Sequence, residues 1–470
     1  MSFKQILIVI TLAVVAVAMT ACGSSITENP KTDDTVYGNG GMQVRKGDFV
    51  YFMNGFYGID EVKDTSNKNG KVVRGGIYRV QLKDGALPVD ENGNIVDATA
   101  IISKITCYEF GGFYIYDDYI YYATPNDQKD KKGNLLKSYV DFFRCKIDGS
   151  DNQRIYTTDF EYSSVQFNVV KYNKDAKNAS TYLMVLDGAK LISYEFQNGS
   201  NKGKTVLAEE VTGVAWNKIS TYTAGQDATE FEKNIYYTQA TVDTNKICKV
   251  NIVSGETKTV IDDNTTSFTL KDCKGGKLYY EKAVSGSTVF ASNTLGASFE
   301  GGETVIYNNS YSNYTVVGSS EGEFEGGVIA TNDSGTYYVK TGRNGETDRI
   351  TVASKKYNIL FVDGAKVYVR ESSAQIYVID LTDAKFEAKE VLASDVTGKV
   401  DGSKYVDFDG RFITYLAENK VGETTTYYTH IVDLMQFDEA DGHFDSFAGE
   451  YADGEKPETD KDESKTDSDK

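Results

Sequence analysis

A three-strand grammar recurs along this chain and constrains its fold more than any other feature. Its clearest instance occupies residues 117–159. Ile120-Tyr121-Tyr122-Ala123 is large, apolar and aromatic, the composition of a pleated and mostly buried strand. Residues 142–147 alternate their side chains and stop at Asp148-Gly149, a pair that supplies the positive φ of a tight reversal. Gln153-Arg154-Ile155-Tyr156 then returns as the next strand. One such sheet leaves its apolar faces uncovered and must stack on neighbours.

Variants of the second strand read VYFM at 50–53, YLMV at 182–185, IYYT at 235–238, LYYE at 278–281, VIAT at 328–331, VYVR at 367–370 and ITYL at 413–416. A third strand ending in a polar turn follows most of them, as in IYRVQLKDG (77–85) and ICKVNIVSG (247–255). From Tyr51 to Thr414 the pattern makes seven steps in 414 − 51 = 363 residues, about 52 per step. That spacing suits the four-stranded blade of a propeller with some long loops, since such repeats run ~40–50 residues. The 43 glycines against four prolines, turn signals about every 8–15 residues and no long helical stripe beyond the first residues agree with an all-β chain. The units fall at 41–105, 106–160, 161–210, 211–264, 265–309, 310–354, 355–395 and 396–438. The expectation is a single β-propeller of seven or eight four-stranded blades. Eight is favoured, and seven requires 265–354 to be one irregular blade. The last unit has no clean fourth strand, and residues 35–38 are expected to supply it and close the ring.

IYYTQ at 235–239 and FRCKIDGSDNQRIY at 143–156 resemble the repeats of YWTD-type propellers of low-density-lipoprotein receptors. YGNGGMQVRKGDFVYFMNG at 37–55 is similar to repeats of bacterial surface lipoproteins of unknown function with that fold. The likeness covers about 37–438. It departs where the motif tryptophan is replaced by Tyr122, Tyr237 and Tyr280, where no aspartate follows Thr238, and in the blade number, six in the receptors. It implies the propeller and little about activity, because fold does not fix function.

The ends set the expected address. Residues 1–21 carry one charge, Lys4, and an apolar run from Ile6 to Met19, too short to span ~30 Å of hydrocarbon and suited to the helix of a signal peptide. Met19-Thr20-Ala21-Cys22-Gly23-Ser24-Ser25 resembles a lipobox. Cys22 is therefore the expected lipidation site, with an uncleaved anchor as the other reading. Either one puts the chain on the outer face of a bacterial cytoplasmic membrane. Residues 22–40 read as a polar tether, 41–438 as the propeller, and 439–470 as an acidic, disordered tail. Removing Lys4 takes the net charge from −19 to −20, and residues 438–470 hold 13 acids against four lysines. So acidic a chain excludes nucleic acid as a partner, since phosphate neutralisation needs clustered Lys and Arg.

Four cysteines remain after Cys22. Cys145 and Cys248 occupy equivalent third-strand positions, while Cys107 and Cys273 lie near first strands. Export makes Cys107–Cys145 and Cys248–Cys273 plausible disulfides, and four buried thiols are the alternative. There is no CxxC. Neither His430, on an alternating strand, nor His443, in an acidic loop, reads as a catalytic or metal-binding group, and no metal or cofactor is expected. Gly318-Ser319-Ser320-Glu321-Gly322 spells G-x-S-x-G, but no helix follows it as a nucleophile elbow requires. Residues 90–97 (DENGNIVD) and 148–152 offer alternate oxygens but fail the calcium-loop spacing and read as hairpin turns. Trp216 reads as core. Phe56-Tyr57 and 311–314 could stack on sugars or peptides. The function expected is recognition of an extracellular protein, peptide or cell-wall glycan by a monomeric lipoprotein held to the membrane through Cys22. A glycan hydrolase or lyase working at the channel mouth is the first alternative. Acids converging in a deep channel pocket would favour it. A solute-capture lipoprotein is the second.

Overall fold

The computed structural model describes residues 28–444 apart from 56–74, 107–111, 174–178, 227–231, 242–244, 264–265, 275, 296–301, 308–312, 318–323, 325, 341–347, 372–374, 393–405, 422–423 and 436–440. Eight antiparallel four-stranded sheets follow one another as the blades of a β-propeller. Blade 1 comprises Gln43–Lys46, Phe49–Met53, Ile77–Gln81 and Thr99–Ile102. Blade 2 comprises Tyr114–Tyr116, Tyr119–Pro125, Tyr139–Lys146 and Gln153–Glu161. Blade 4 uses Val211–Ala215, Asn234–Ala240, Asn245–Asn251 and Thr257–Asp262. Blade 8 uses Val406–Phe408, Phe412–Val421, Thr424–Asp433 and Asp441–Phe444. Blades 3, 5, 6 and 7 lie within 165–208, 267–307, 313–353 and 358–392. Residues 265–354 thus form two complete blades rather than one irregular one.

The second strands are legible because they are enclosed on both faces. All five residues of Phe49–Met53 are buried, as are six of seven in Tyr119–Pro125. Fourth strands sit at the outer rim, and Ser200–Ala208 is exposed over its first seven residues. The seams between blades carry the core. Val170, Leu186 and Val250 join blades 3 and 4, while Ala215, Leu278 and Tyr280 join 4 and 5. Phe290 and Val328 join 5 and 6, and Ile329 and Val369 join 6 and 7. Tyr368 and Tyr415 join 7 and 8. Blades 1, 2 and 3 share one continuous cluster through Tyr51, Phe142 and Phe167.

The ring closes differently from the expectation. Asp441–Phe444 pairs with the third strand of blade 8 in the register Thr429↔Phe444 to Val432↔Asp441. The last blade therefore completes itself, and its strand falls inside the span expected to be a disordered tail. Blades 8 and 1 meet by packing, with Phe412 and Ile431 against Val50 and Phe52. The Gly55 N–H also donates to Thr429 Oγ1 at 2.8 Å.

Each blade presents two faces. Turns joining strands 1–2 and 3–4 emerge on one side, the hairpin face. Turns joining strands 2–3 and the links between blades emerge on the other, the connection face.

Candidate functional site

A propeller offers a ligand its axis, and here the chain itself fills part of it. Val36–Tyr37 forms a strand on the inner edge of blade 1, in register Val36↔Lys46 and Tyr37↔Arg45. Thr221–Tyr222, from the long link between the first two strands of blade 4, pairs with it on its other side. The blade 1 sheet thus extends to six strands, and a chord runs across the ring from blade 4. Residues 35–38 do not close the ring at the rim; they lie at its centre.

The segment after this strand is locked into the neighbouring blades. Asn39 is buried, and its amide makes both halves of a backbone pairing with blade 2. Its Nδ2 donates to Ile115 O at 3.0 Å, and Ile115 N–H donates to its Oδ1 at 2.7 Å. Asn39 N–H donates to Ser220 O, Gly40 N–H to Phe113 O and Phe113 N–H to Gly41 O, at 3.0, 2.9 and 3.1 Å. Glycine is required here. Gly112 has φ +74, and a Cβ on it would lie 2.1 Å from Gly41 O. On the other side, at the seam of blades 8 and 1, Asp407 and Asp409 of blade 8 take Gln43 and Arg45. Gln43 N–H reaches Asp407 Oδ2 at 3.3 Å, Gln43 Nε2 reaches Asp409 Oδ2 at 2.8 Å, and Arg45 Nε pairs with the same oxygen at 3.0 Å. The Arg45 guanidinium lies 4.2 Å from the centre of the Tyr37 ring. Burial pushes the Asp407 carboxyl up to about 6, against the N–H bonds of Phe408 and Gln43, which favour its anion. Burial also raises Asp272 on the inner strand of blade 5. The two acids stand three blades apart and do not converge, and Gly41 lies against the Asp407 carboxyl.

Upstream, residues 28–35 lie on the hairpin face. Lys46 has no exposure, and its Nζ donates to Thr32 O at 2.9 Å and Asp34 O at 3.3 Å. Burial lowers its pKa, opposed by Asp118, Asp34, Asp117 and Asp33 around it. Thr32 Oγ1 donates to Asp118 at 2.9 Å, and Arg79 holds Asn29 Oδ1 at 2.7 Å and Glu28 O at 3.0 Å. Lys171 and Asp117 form an ion pair beside the Tyr222 ring.

A cavity of about 330 Å³ opens between blades 7 and 8, lined by Asp363, Lys366, Tyr368, Glu390, Phe408 and Met435 among others. Tyr368 and Phe408 of its lining pack with each other and with Phe361, the ring centroids 4.5–5.3 Å apart. Arg411 at its edge is held by Asp433, Nε to Oδ1 2.9 Å, and Met435 is 76% exposed.

Cys145, Cys248 and Cys273 are buried free thiols, and Cys107 lies outside the described residues. Cys248 packs in the seam between blades 3 and 4, Cys273 in the seam between 4 and 5. Cys248 lies on the third strand of blade 4 and Cys273 on the first strand of blade 5, and the blade 4 sheet stands between the two seams and keeps them apart. Burial raises the pKa of each thiol, most strongly at Cys145 and Cys273. His430 is buried, accepts or donates at Nδ1 with the Tyr415 hydroxyl at 2.7 Å, and stands opposite His443 in the strand register. Asp90 Oδ1 receives the N–H groups of Asn92 and Asn94, both at 2.8 Å, which makes 90–94 a hairpin turn, and Asp130 repeats it with Lys132 and Asn134. Asp148 likewise takes Ser150 N–H at 2.9 Å. Trp216 packs on the seam of blades 3 and 4, with Nε1 donating to Gln166 at 3.3 Å. Cys22, residues 56–57, residue 311 and the 318–322 motif lie outside the described residues. Among the described residues, no group of three metal-ligating side chains comes together.

No protein-family model matches this chain, and no curated protein does. Solved structures similar to it include TolB from Acinetobacter baumannii, with 12% identity over 69% of this chain and 81% of that one, TM-score 0.30. A chain of the nidogen/laminin complex shares 13% over 60% and 92%, TM-score 0.28. Polysaccharide lyase Uly1 shares 11% over 68% and 89%, TM-score 0.40. At these identities and scores the likeness adds nothing on function to the blades already described.

Proposed function

We propose that this chain is an exported lipoprotein, anchored by lipid on Cys22 to the outer face of the cytoplasmic membrane, that recognises an extracellular protein, peptide or cell-wall glycan. The observation that carries the reading is the occupied axis. The tether and the blade 4 link lie where a propeller enzyme would admit substrate, and Gly41, just past the tether, lies against Asp407, one of the acids that burial pushes up. What remains for contact is the rim and the two faces, loops held on a rigid ring. A lipobox-like Ala21-Cys22-Gly23 and a tether running directly into the fold support the anchoring.

The test is a glycan array together with pull-down from cell-wall and extracellular fractions, using the soluble form that starts at Gly23. A saturable ligand recovered unchanged after long incubation supports recognition. Turnover of a bound glycan into shorter products would replace the reading with the enzyme one.

A further inference from the structure

The place where the tether enters the fold fixes which way the disk faces. Residues 28–35 lie on the hairpin face: Thr32 and Asp34 carbonyls hold Lys46 at the end of the first strand of blade 1, and Thr32 holds Asp118 in the first turn of blade 2. Gln81 Nε2 at the end of the third strand reaches Glu28 at 3.3 Å. The chain then descends the axis through Val36–Tyr37 antiparallel to the first strand of blade 1, toward the connection face. From residue 22 to residue 28 is 28 − 22 = 6 peptide units. Six units reach at most about 20–22 Å, at 3.3–3.6 Å each.

We infer that the hairpin face is turned to the lipid bilayer at a stand-off of no more than this length, and that the connection face is presented outward to a partner. The inference rests on the lipid anchor proposed at Cys22. A long flexible tether would let the disk tumble, but this one has its free length consumed by the clamp at residues 28–35 and by the axial strand. The hairpin face near the clamp is acidic, with Asp117, Asp118, Asp148 and Asp151 in the turns of blade 2. Anionic headgroups repel such a surface only within the screening length of about 8–10 Å, so the disk stands off the surface without being released from it. The cavity between blades 7 and 8 involves the first turns of both blades, at Asp363, Lys366, Gly410 and Arg411, and so opens toward the bilayer. The outward surface is then made by the turns joining second to third strands, among them 126–138 with Lys129, Lys131, Lys132 and Lys137, and 333–334.

Single cysteines test this in the full-length chain with Cys107→Ser, since the thiols of Cys145, Cys248 and Cys273 are buried. Ser254→Cys and Ala384→Cys place exposed thiols on hairpin-face turns of blades 4 and 7, and Ser334→Cys places one on the connection face of blade 6. Labelling rates with a bulky, membrane-impermeant maleimide polymer are compared on right-side-out membranes and after detergent extraction. Both hairpin-face sites are expected to label several-fold more slowly on membranes than in detergent, and Ser334→Cys equally in the two. Inserting thirty Gly/Ser residues after Ser24, a flexible span of about 30 Å, should abolish the difference. Membrane-bound protein with equal rates at all three sites, or protection of Ser334→Cys instead, overturns the orientation and leaves the anchor standing. Recovery of the unmodified chain in the soluble fraction, with the same result for Cys22→Ala, overturns the anchor and the orientation together.

Discussion

Asn39→Ala is the sharpest probe of the axial segment. The side chain is 5% exposed and the Ile115 backbone it pairs with is fully buried. Alanine removes both bonds, 3.0 Å to the carbonyl and 2.7 Å from the N–H, and leaves Ile115 with two unpartnered backbone groups. Each such group costs about 1–3 kcal/mol, so the loss should be about 2–6 kcal/mol, nearer the lower figure if water enters the space. Asn39→Asp keeps the acceptor but turns a second oxygen toward the Ile115 carbonyl, and should fare no better. A ring of eight blades need not unfold in one step, so the loss is read in two ways. Urea unfolding of the soluble form gives the global stability. Limited proteolysis within residues 28–42 gives the opening of the axial segment, whose population should rise about thirtyfold or more for 2 kcal/mol when reclosing outruns cleavage. If the midpoint moves by less than about 0.5 kcal/mol and the cleavage rate is also unchanged, the axial segment is not held by this pairing and the occupied-axis argument fails.

Gly112→Ala should be destabilising by more than about 2 kcal/mol, combining a left-handed backbone with a clash on Gly41 O, and a thermal shift assay that finds it neutral would contradict the close approach. Asp407 predicts a pH dependence of definite sign. Its folded carboxyl keeps a proton up to about pH 6, while the unfolded one releases it near the ordinary value, so this group's contribution falls as pH rises from about 4 to 6 and its full penalty, about 3 kcal/mol, persists above. Asp407→Asn should flatten that part of the urea-midpoint profile; parallel profiles would refute the assignment. Cys145, Cys248 and Cys273 should resist a small thiol reagent in the native protein and react after unfolding, and reductant should leave the melting temperature unchanged. An intact-mass loss of two hydrogens per pair under non-reducing conditions would show a disulfide instead.

What the sequence discloses follows burial. Second strands such as Ile120–Ala123 and Leu278–Glu281 lie between two sheet neighbours and two blades, so selection for packing writes them as continuous apolar runs, and their count gives eight blades. Outer strands such as Ser200–Ala208 face solvent and carry little apolar signal, and DGHF at 441–444 has no apolar run to mark it off from the acidic tail. The axial segment was hidden for another reason. Val36–Tyr37 and Thr221–Tyr222 are two-residue strands, too short for any periodicity, and their pairing joins residues 186 apart. Two local signals pointed there. Gly38, Gly40 and Gly41 crowd a stretch that must pass close to Asp409, Tyr114 and Asp407, and blade 4 spends the eighteen residues 216–233 where blade 1 needs only Gly47 and Asp48 between its first two strands. A long link where a tight hairpin would serve has to be doing something with its length. Here it reaches across the axis to pair with Val36–Tyr37, which is why the occupied axis arises from the least regular parts of an otherwise repetitive sequence.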